Sequence, residues 1–117
     1  MNPYLDRERS PHIKVEIFLF SWIDFDCIID TGFAGGISIP KHFQNYFKSR
    51  QPLTFQRFIL ADGSTRLHPL YETKVKFKNK EKTIFIVFSG KEALVGIEFL
   101  LGFRFVLDLK KFLVILA

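Results

Sequence analysis

The stretch "CIIDTGFAGGISIP", residues 27–40, runs from a cysteine and two isoleucines into Asp30-Thr31-Gly32 and leaves through small residues toward Pro40. An apolar run directly before an aspartate predicts a buried strand that ends in a carboxylate shielded from solvent. Because a buried carboxylate is costly unless it has partners or a task, the function of the chain depends on what surrounds Asp30.

Length and composition indicate one folded domain. The chain has 117 residues, which is enough for one hydrophobic core and too short for two. Hydrophobic residues make up 48% and charged residues 25%, and the 15 phenylalanines supply bulky side chains for closing a core. We assign residues 1–12 to a polar N-terminal segment and residues 13–117 to the domain.

Charge and hydropathy argue against two classes of partner. No apolar run approaches the roughly 20 residues of a membrane span, and no basic and then apolar leader opens the sequence, so we expect a cytoplasmic protein with no membrane partner. The net charge of +5 comes from lysines dispersed over turns and strand faces, without a basic run that alternates with aromatic residues. We therefore expect no nucleic-acid partner.

The residues that most often carry metal or thiol chemistry are sparse. The single cysteine, Cys27, lies among apolar residues and is interpreted as a small buried hydrophobic side chain. The histidines His12, His42 and His68 are too dispersed for metal-ligand spacing, so we expect no metal ion and no cofactor, and we assign the histidines to surface or loop positions.

Hydrophobic periodicity predicts an all-β fold. The odd positions of residues 13–19 are apolar, and the same alternation resumes at residues 25–29 after a turn. Asp62-Gly63 is a strong hairpin signal, and the strand at 83–88 is apolar on both faces, as is typical of a central strand. The other predicted elements are strands at 36–40, 54–61 and 70–78 and a short helix at 41–48.

The last third of the chain, "ALVGIEFLLGFRFVLDLKKFLVIL" at residues 93–116, carries a second signal. An apolar triplet ends at Gly96, a short helix is predicted at Ile97–Leu101, and strands follow at Phe105–Asp108 and Phe112–Leu116.

Together the two stretches resemble the single-domain, retropepsin-like aspartic proteases. The catalytic loop of that family has two apolar residues, Asp-Thr-Gly, any residue, a small residue and Gly, which residues 28–35 match. The second motif of the family, an apolar pair and Gly before a short helix, is matched by Leu94-Val95-Gly96. The stretch "LADGSTRLHPLYETKVKF" occupies the place of the β-hairpin flap in the order of elements.

The resemblance implies a closed retropepsin-like β-barrel with one short helix near the C-terminus. It also implies an aspartic endopeptidase that acts on a polypeptide substrate. In that family Asp30 would be catalytic, with Thr31 and Gly32 holding its carboxylate in place. The residues implied in substrate binding are Phe33, Ala34 and Gly35 after the motif, Asp62, Gly63 and Ser64 at the flap tip, and Val95.

One Asp-Thr-Gly supplies one carboxylate, whereas the chemistry of the family uses two. The resemblance therefore implies a homodimer in which two copies of Asp30 share one proton across a two-fold axis. We expect the interface to include the loop at 28–35 and the terminal strand Phe112–Leu116. Phe33 is bulkier than the residue that the family usually has there, and Ala34 lacks a hydroxyl. A dimeric peptide- or protein-binding module with the same fold and no catalysis is the alternative.

Overall fold

Ten β-strands and two short helices form the regular structure of residues 3–59 and 62–117, the part of the chain that the computed structural model describes. The strands are β1 (Tyr4–Leu5), β2 (Pro11–Phe18), β3 (Trp22–Ile29), β4 (Ile37–Ile39), β5 (Thr54–Ile59), β6 (Thr65–Phe77), β7 (Lys80–Phe88), β8 (Leu94–Val95), β9 (Phe105–Asp108) and β10 (Leu113–Leu116). A 3-10 helix spans Lys41–Phe47, and one α-helix, α1, spans Ile97–Leu100. The predicted all-β fold is confirmed.

The main sheet curls until its strands form a ring. Eight strands are ordered β1-β2-β3-β8-β4-β7-β6-β5, and β2 pairs additionally with β6 through Glu16 with Lys76 and Ile17 with Val75. Most neighbours are antiparallel, but β3 pairs with β8 and β4 with β7 in parallel. The two parallel pairs bring the end of β3, which leads into Asp30, beside β8.

The core lies inside this ring and follows the period of two seen in the sequence. On β2 the side chains of Ile13, Val15 and Ile17 are buried, and on β3 those of Cys27 and Ile29 point to the same interior. The aromatic residues Phe47, Tyr71, Phe77, Phe88 and Phe99 fill the rest of the interior. Strand β7 is buried on both faces at its end, as predicted for a central strand.

The hairpin that follows the 3-10 helix is longer than predicted on one side. Strand β6 begins at Thr65 and has 13 residues, so residues 65–69, which we expected in the connection, pair with β5. The sequence carried no sign of this extension because residues 65–67 are all exposed and show no apolar period, and ladder hydrogen bonds do not require apolar side chains. The hairpin itself is confirmed, whereas residues 60 and 61 of the strand predicted at 54–61 lie outside the described residues.

Residues near the N-terminus pack on the barrel strands. Strand β2 starts at Pro11 and so crosses the boundary predicted between residues 12 and 13, and β1 pairs with its first residues. The His12 ring lies between two carboxylates, with Nε2 2.7 Å from Asp6 Oδ2 and Nδ1 3.1 Å from Asp26 Oδ1. Tyr4 donates a hydrogen bond from its hydroxyl to Asp26 and stacks on His12 at 4.8 Å between ring centroids.

The C-terminal hairpin forms a separate sheet of two strands. Strands β9 and β10 pair antiparallel, and Val114 and Leu116 turn into the core. Lys78 donates a hydrogen bond from its ammonium group to the Leu116 carbonyl, 2.6 Å away. In the described residues, the helices are all too short to cross a membrane.

Candidate active site

The carboxylate of Asp30 stands at the point where β3 ends. The strand alternation buries Cys27 and Ile29, and the next residue, Asp30, is half-buried on the other side. Its Oδ1 accepts a hydrogen bond of 2.9 Å from the backbone N–H of Gly32, which turns the carboxylate toward its own loop. Thr31 between them is exposed. The local structure therefore presents one half-buried carboxylate and one exposed hydroxyl side chain.

Four backbone hydrogen bonds join the Asp30 loop to the second motif. The N–H of Asp30 donates to the Val95 carbonyl at 2.9 Å, and the N–H of Gly96 donates to the Gly36 carbonyl at 2.9 Å. At the start of α1, the N–H of Ile97 donates to Phe33 at 2.9 Å and that of Glu98 donates to Gly35 at 3.1 Å. The two stretches that the sequence singles out are thus one structural unit.

Glycine is required where the two stretches touch. A Cβ on Gly96 would lie 2.4 Å from the Gly35 carbonyl oxygen and 2.5 Å from that of Phe33. A Cβ on Gly35 would lie 2.7 Å from the Phe33 ring. The Phe33 side chain therefore packs directly against the two glycines and leaves no space for larger residues there. The surface formed by Asp30 and Phe33 is called the floor of the site.

A cleft of about 680 Å³ opens above this floor, between it and the β5–β6 hairpin. The residues that line it are Asp30, Gly32, Phe33, Ala34, Ser38, Gln56, Arg57, Phe58, Ile59, His68, Val87, Ser89 and Leu94. Asp30 is the one acidic residue among these cleft-lining residues in the described part of the chain. The predicted residues Asp30, Gly32, Phe33 and Ala34 are thus brought together in one cavity.

The hairpin covers the cleft with one of its two faces. Phe58 of β5 meets Phe33 with ring centroids 5.5 Å apart, and His68 of β6 lies 5.8 Å from Phe58. Residues directly opposite on antiparallel strands share a face, so Gln56, opposite His68, also faces the cleft. Phe55 and Leu67 lie on the outer face and are exposed, and Ile59 at the end of β5 is exposed although it also lines the cleft.

The other residues proposed for the substrate site lie outside the cleft lining. Val95 is fully buried, and it meets the loop through its carbonyl oxygen, while Gly35 is buried beneath Phe33. Asp62, Gly63 and Ser64 form the exposed hairpin turn, where Asp62 Oδ1 accepts a hydrogen bond of 2.9 Å from the Ser64 N–H. Gly63 has φ of +84°, which glycine adopts without strain. The roles of these residues in binding a substrate stay predictions.

Sequence reasoning missed several cleft residues. His68 was assigned to a surface or loop position, but it lies on a strand with its ring toward the cleft, and Ser38, Gln56 and Phe58 were not singled out. The period of two on β5 is a signal that Gln56 and Phe58 share one face, whereas the place of His68 depends on the register of β6 with β5. Among the described residues no group of three or more metal-ligating side chains could hold a metal ion.

Known protein structures share this architecture. Across 99% of this chain and 88% of the other, the chain resembles the crystal structure of a retropepsin-like aspartic protease from Rickettsia conorii, with a TM-score of 0.72 and 19% sequence identity. It also resembles the retroviral protease-like domain of Ddi1 from Leishmania major, with a TM-score of 0.53, 12% identity, and 91% and 86% of the two chains covered. The solution structure of simian foamy virus (mac) protease matches with a TM-score of 0.52, 12% identity, and 74% and 88% coverage.

These likenesses concern the fold. The chain has the fold of the retropepsin-like aspartic proteases, as its two motifs predicted. No protein-family model matches the sequence, and no curated protein matches it significantly.

Proposed function

We propose that the protein is an aspartic endopeptidase that works as a homodimer, with one Asp30 from each subunit in the catalytic pair. The observation that carries this proposal is the position of Asp30, which is the one acidic residue among the described residues that line the cleft. Four backbone hydrogen bonds hold the Asp30 loop against the second motif, and the β5–β6 hairpin covers the cleft. The structures that share the fold are named as proteases or protease-like domains. A cleft covered by a flap suits an extended polypeptide substrate.

The chemistry needs the second carboxylate from a second copy of the chain. Two carboxylates close together cannot both ionise, so they share one proton. The ionised member takes a proton from a water molecule, which attacks the peptide carbonyl, while the protonated member donates a hydrogen bond to the carbonyl oxygen. The proton then passes to the leaving amine as the C–N bond breaks. Gly32 would fix the carboxylate by the hydrogen bond already described.

Exposed apolar side chains support the proposed dimer. Exposed apolar residues occur in several parts of the described chain, and six of them lie in or next to α1 and the C-terminal hairpin: Ile97, Leu101, Leu107, Leu109, Phe112 and Leu113. Apolar groups at this density on a small domain favour a protein interface. The N–H of Ile97 donates to the Phe33 carbonyl, so α1 begins next to the loop 28–35, which the proposed interface includes together with the terminal strand Phe112–Leu116.

The test compares Asp30→Asn with Asp24→Asn, an exposed carboxylate on the same strand. Digestion of a peptide library from acidic to neutral pH should be abolished in Asp30→Asn and unchanged in Asp24→Asn, and a statine-type inhibitor should block the wild type. Activity should follow a bell over pH, because the singly protonated pair is the active form. Full activity of Asp30→Asn would contradict the proposal. Peptide binding without cleavage by the wild-type dimer would favour the alternative, a non-catalytic binding module.

A further inference from the structure

One hydroxyl group lies at the bottom of the cleft among apolar side chains. Ser38 is 5% exposed and is one of two buried polar residues in the described part of the chain. Its neighbours Ile37 and Ile39 are fully buried in the core. The alternation of β4 therefore turns the Ser38 side chain to the opposite face of the sheet, where it lines the cleft.

The strands on both sides of β4 make this position a notch. Ser38 lies opposite Val87 of β7 and opposite Leu94 of β8, and all three residues line the cleft. Side chains opposite one another on paired strands share a face, and neighbouring strands are about 4.8 Å apart. Because serine is shorter than valine and leucine, the Ser38 hydroxyl lies at the bottom of a depression between two apolar side chains.

The Ser38 hydroxyl is available to a ligand. The side-chain hydrogen bonds among residues 3–59 and 62–117 do not include its oxygen, whereas Thr73, the other buried polar residue there, donates to the Phe18 carbonyl. Every fully buried side-chain oxygen or nitrogen of those residues has a partner, so the Ser38 oxygen retains contact with the cleft. An apolar group placed over this largely desolvated hydroxyl would leave it unpaired, which is unfavourable.

The number of hydrogen bonds that the notch offers favours a hydroxyl as the partner. A carboxylate or a primary amide has several lone pairs or N–H groups, and a single hydroxyl between Val87 and Leu94 would leave most of them unpaired. A hydroxyl needs fewer hydrogen bonds, and it either donates to Ser38 or accepts from it. Arg57 also lines the cleft, but it lies on the covering hairpin, where it is exposed and donates to Thr65 Oγ1 at 3.2 Å.

We propose that this notch selects polypeptides with a hydroxyl-bearing side chain, that is serine, threonine or tyrosine, whose oxygen forms a hydrogen bond with Ser38 Oγ. The inference rests on the proposed peptidase function and names the substrate class of the same cleft. The apolar part of the selected side chain packs on Val87 and Leu94. The main chain of the substrate runs between these strands and the hairpin.

The test varies each position of a library peptide between residues that differ in the hydroxyl, which are threonine against valine and tyrosine against phenylalanine. At one position the wild type should cleave the hydroxyl-bearing peptide about tenfold more efficiently in kcat/KM, because an apolar partner leaves Ser38 unpaired. In Ser38→Ala this preference should disappear or reverse, since the substrate hydroxyl is then buried beside a methyl group. Ser21→Ala, which removes an exposed hydroxyl in the β2–β3 turn, is the control and should keep the preference.

Binding of the same peptides to the Asp30→Asn protein, measured by fluorescence anisotropy, separates this proposal from the peptidase function. Preferential binding of a hydroxyl-bearing peptide, with no cleavage by the wild type, would support the notch and overturn the peptidase function. Cleavage without such a preference at any position would overturn the notch and leave the peptidase function standing.

Two further outcomes would also overturn the notch. One is a preference for the hydroxyl that persists in Ser38→Ala. The other is a preference for aspartate over threonine at the selected position, because Arg57 would then be the selecting group. Thermal unfolding shows whether Ser38→Ala folds, and if it does not, the comparison of hydroxyl-bearing and apolar peptides with the wild type decides the proposal.

Discussion

The backbone N–H of Asp30 donates a hydrogen bond of 2.9 Å to the carbonyl oxygen of Val95, 65 positions later in the chain. This bond continues the parallel pairing of β3 with β8, in which Ile29 lies opposite Val95. The position of the carboxylate is therefore set by the main chain of the second motif, and not by contacts of the aspartate side chain alone. Changes in the second motif should reach the site through this connection.

Gly96→Ala should reduce both stability and activity. The added Cβ would lie 2.4 Å from the Gly35 carbonyl, a backbone atom that cannot move aside, so we expect a loss of about 1–3 kcal/mol in the free energy of unfolding. Gly32→Ala is the matched variant, because its Cβ would lie 3.2 Å from Asp30 Oδ1, a side-chain atom. It should reduce cleavage with a smaller loss of stability. Urea unfolding and peptidase rates measure both, and equal stability of the two variants would contradict this account.

Alkaline pH should destabilise the fold through Cys27. Burial, and then the neighbouring Asp26, raises the pKa of this thiol to about 12 from its ordinary value of 9.0. The unfolded chain therefore loses this proton first, so the free energy of unfolding should fall as pH rises from about 9 toward 12. Cys27→Val should flatten the dependence in a pH series of urea unfolding. An unchanged slope in that variant would contradict the assignment to Cys27.

Acidic pH should loosen the N-terminal segment through Asp6. Hydrogen bonds from the Ser10 backbone, then from His12, lower the pKa of the Asp6 carboxyl below its ordinary value of 3.8. This contribution to stability is complete above the unfolded value and is lost as pH falls through the lower folded value. In Asp6→Asn the stability should depend less on pH below about 4, whereas Asp24→Asn should behave like the wild type. Hydrogen exchange of the β1 and β2 amides would locate the effect, and uniform exchange changes would contradict it.

The sequence predicted the parts of the fold that follow from the alternation of apolar residues along a strand and from the two glycine-containing motifs. The alternation of Ile13, Val15 and Ile17 was sufficient for β2, and the family resemblance carried by the ordered pair of motifs implied the ring of strands. The start of β6 was wrong because a polar strand over solvent carries no apolar period, so Thr65 and Arg66 resembled a loop.

The site was predictable where it is local in sequence. Asp30, Gly32, Phe33 and Ala34 follow one another and line one cavity. His68 was not predictable, because its place beside the cleft depends on the register of β6 with β5 and on the position of the hairpin over Phe33. The His12 cluster shows the same limit, since Asp6 lies between β1 and β2, Asp26 lies on β3, and the two meet at one imidazole only after folding.

Leu113→Glu should separate the proposed dimer without unfolding the subunit. Leu113 is exposed on β10, whereas Val114 and Leu116 beside it are buried in the core. Deleting residues 114–117 would therefore remove core packing together with any interface, and a single charge at Leu113 is the cleaner test. A carboxylate there would lie in a desolvated apolar interface, which is unfavourable without a partner.

Sedimentation of the Leu113→Glu protein at tens of micromolar should show a monomer, with an unchanged circular dichroism spectrum and no peptidase activity. Phe20→Glu, at an exposed position in the β2–β3 turn, is the control and should remain dimeric and active. Since each monomer supplies one carboxylate, the wild-type rate per subunit should fall on dilution below the dissociation constant of the dimer. A monomeric Leu113→Glu protein that still cleaves peptides would contradict the shared Asp30 pair.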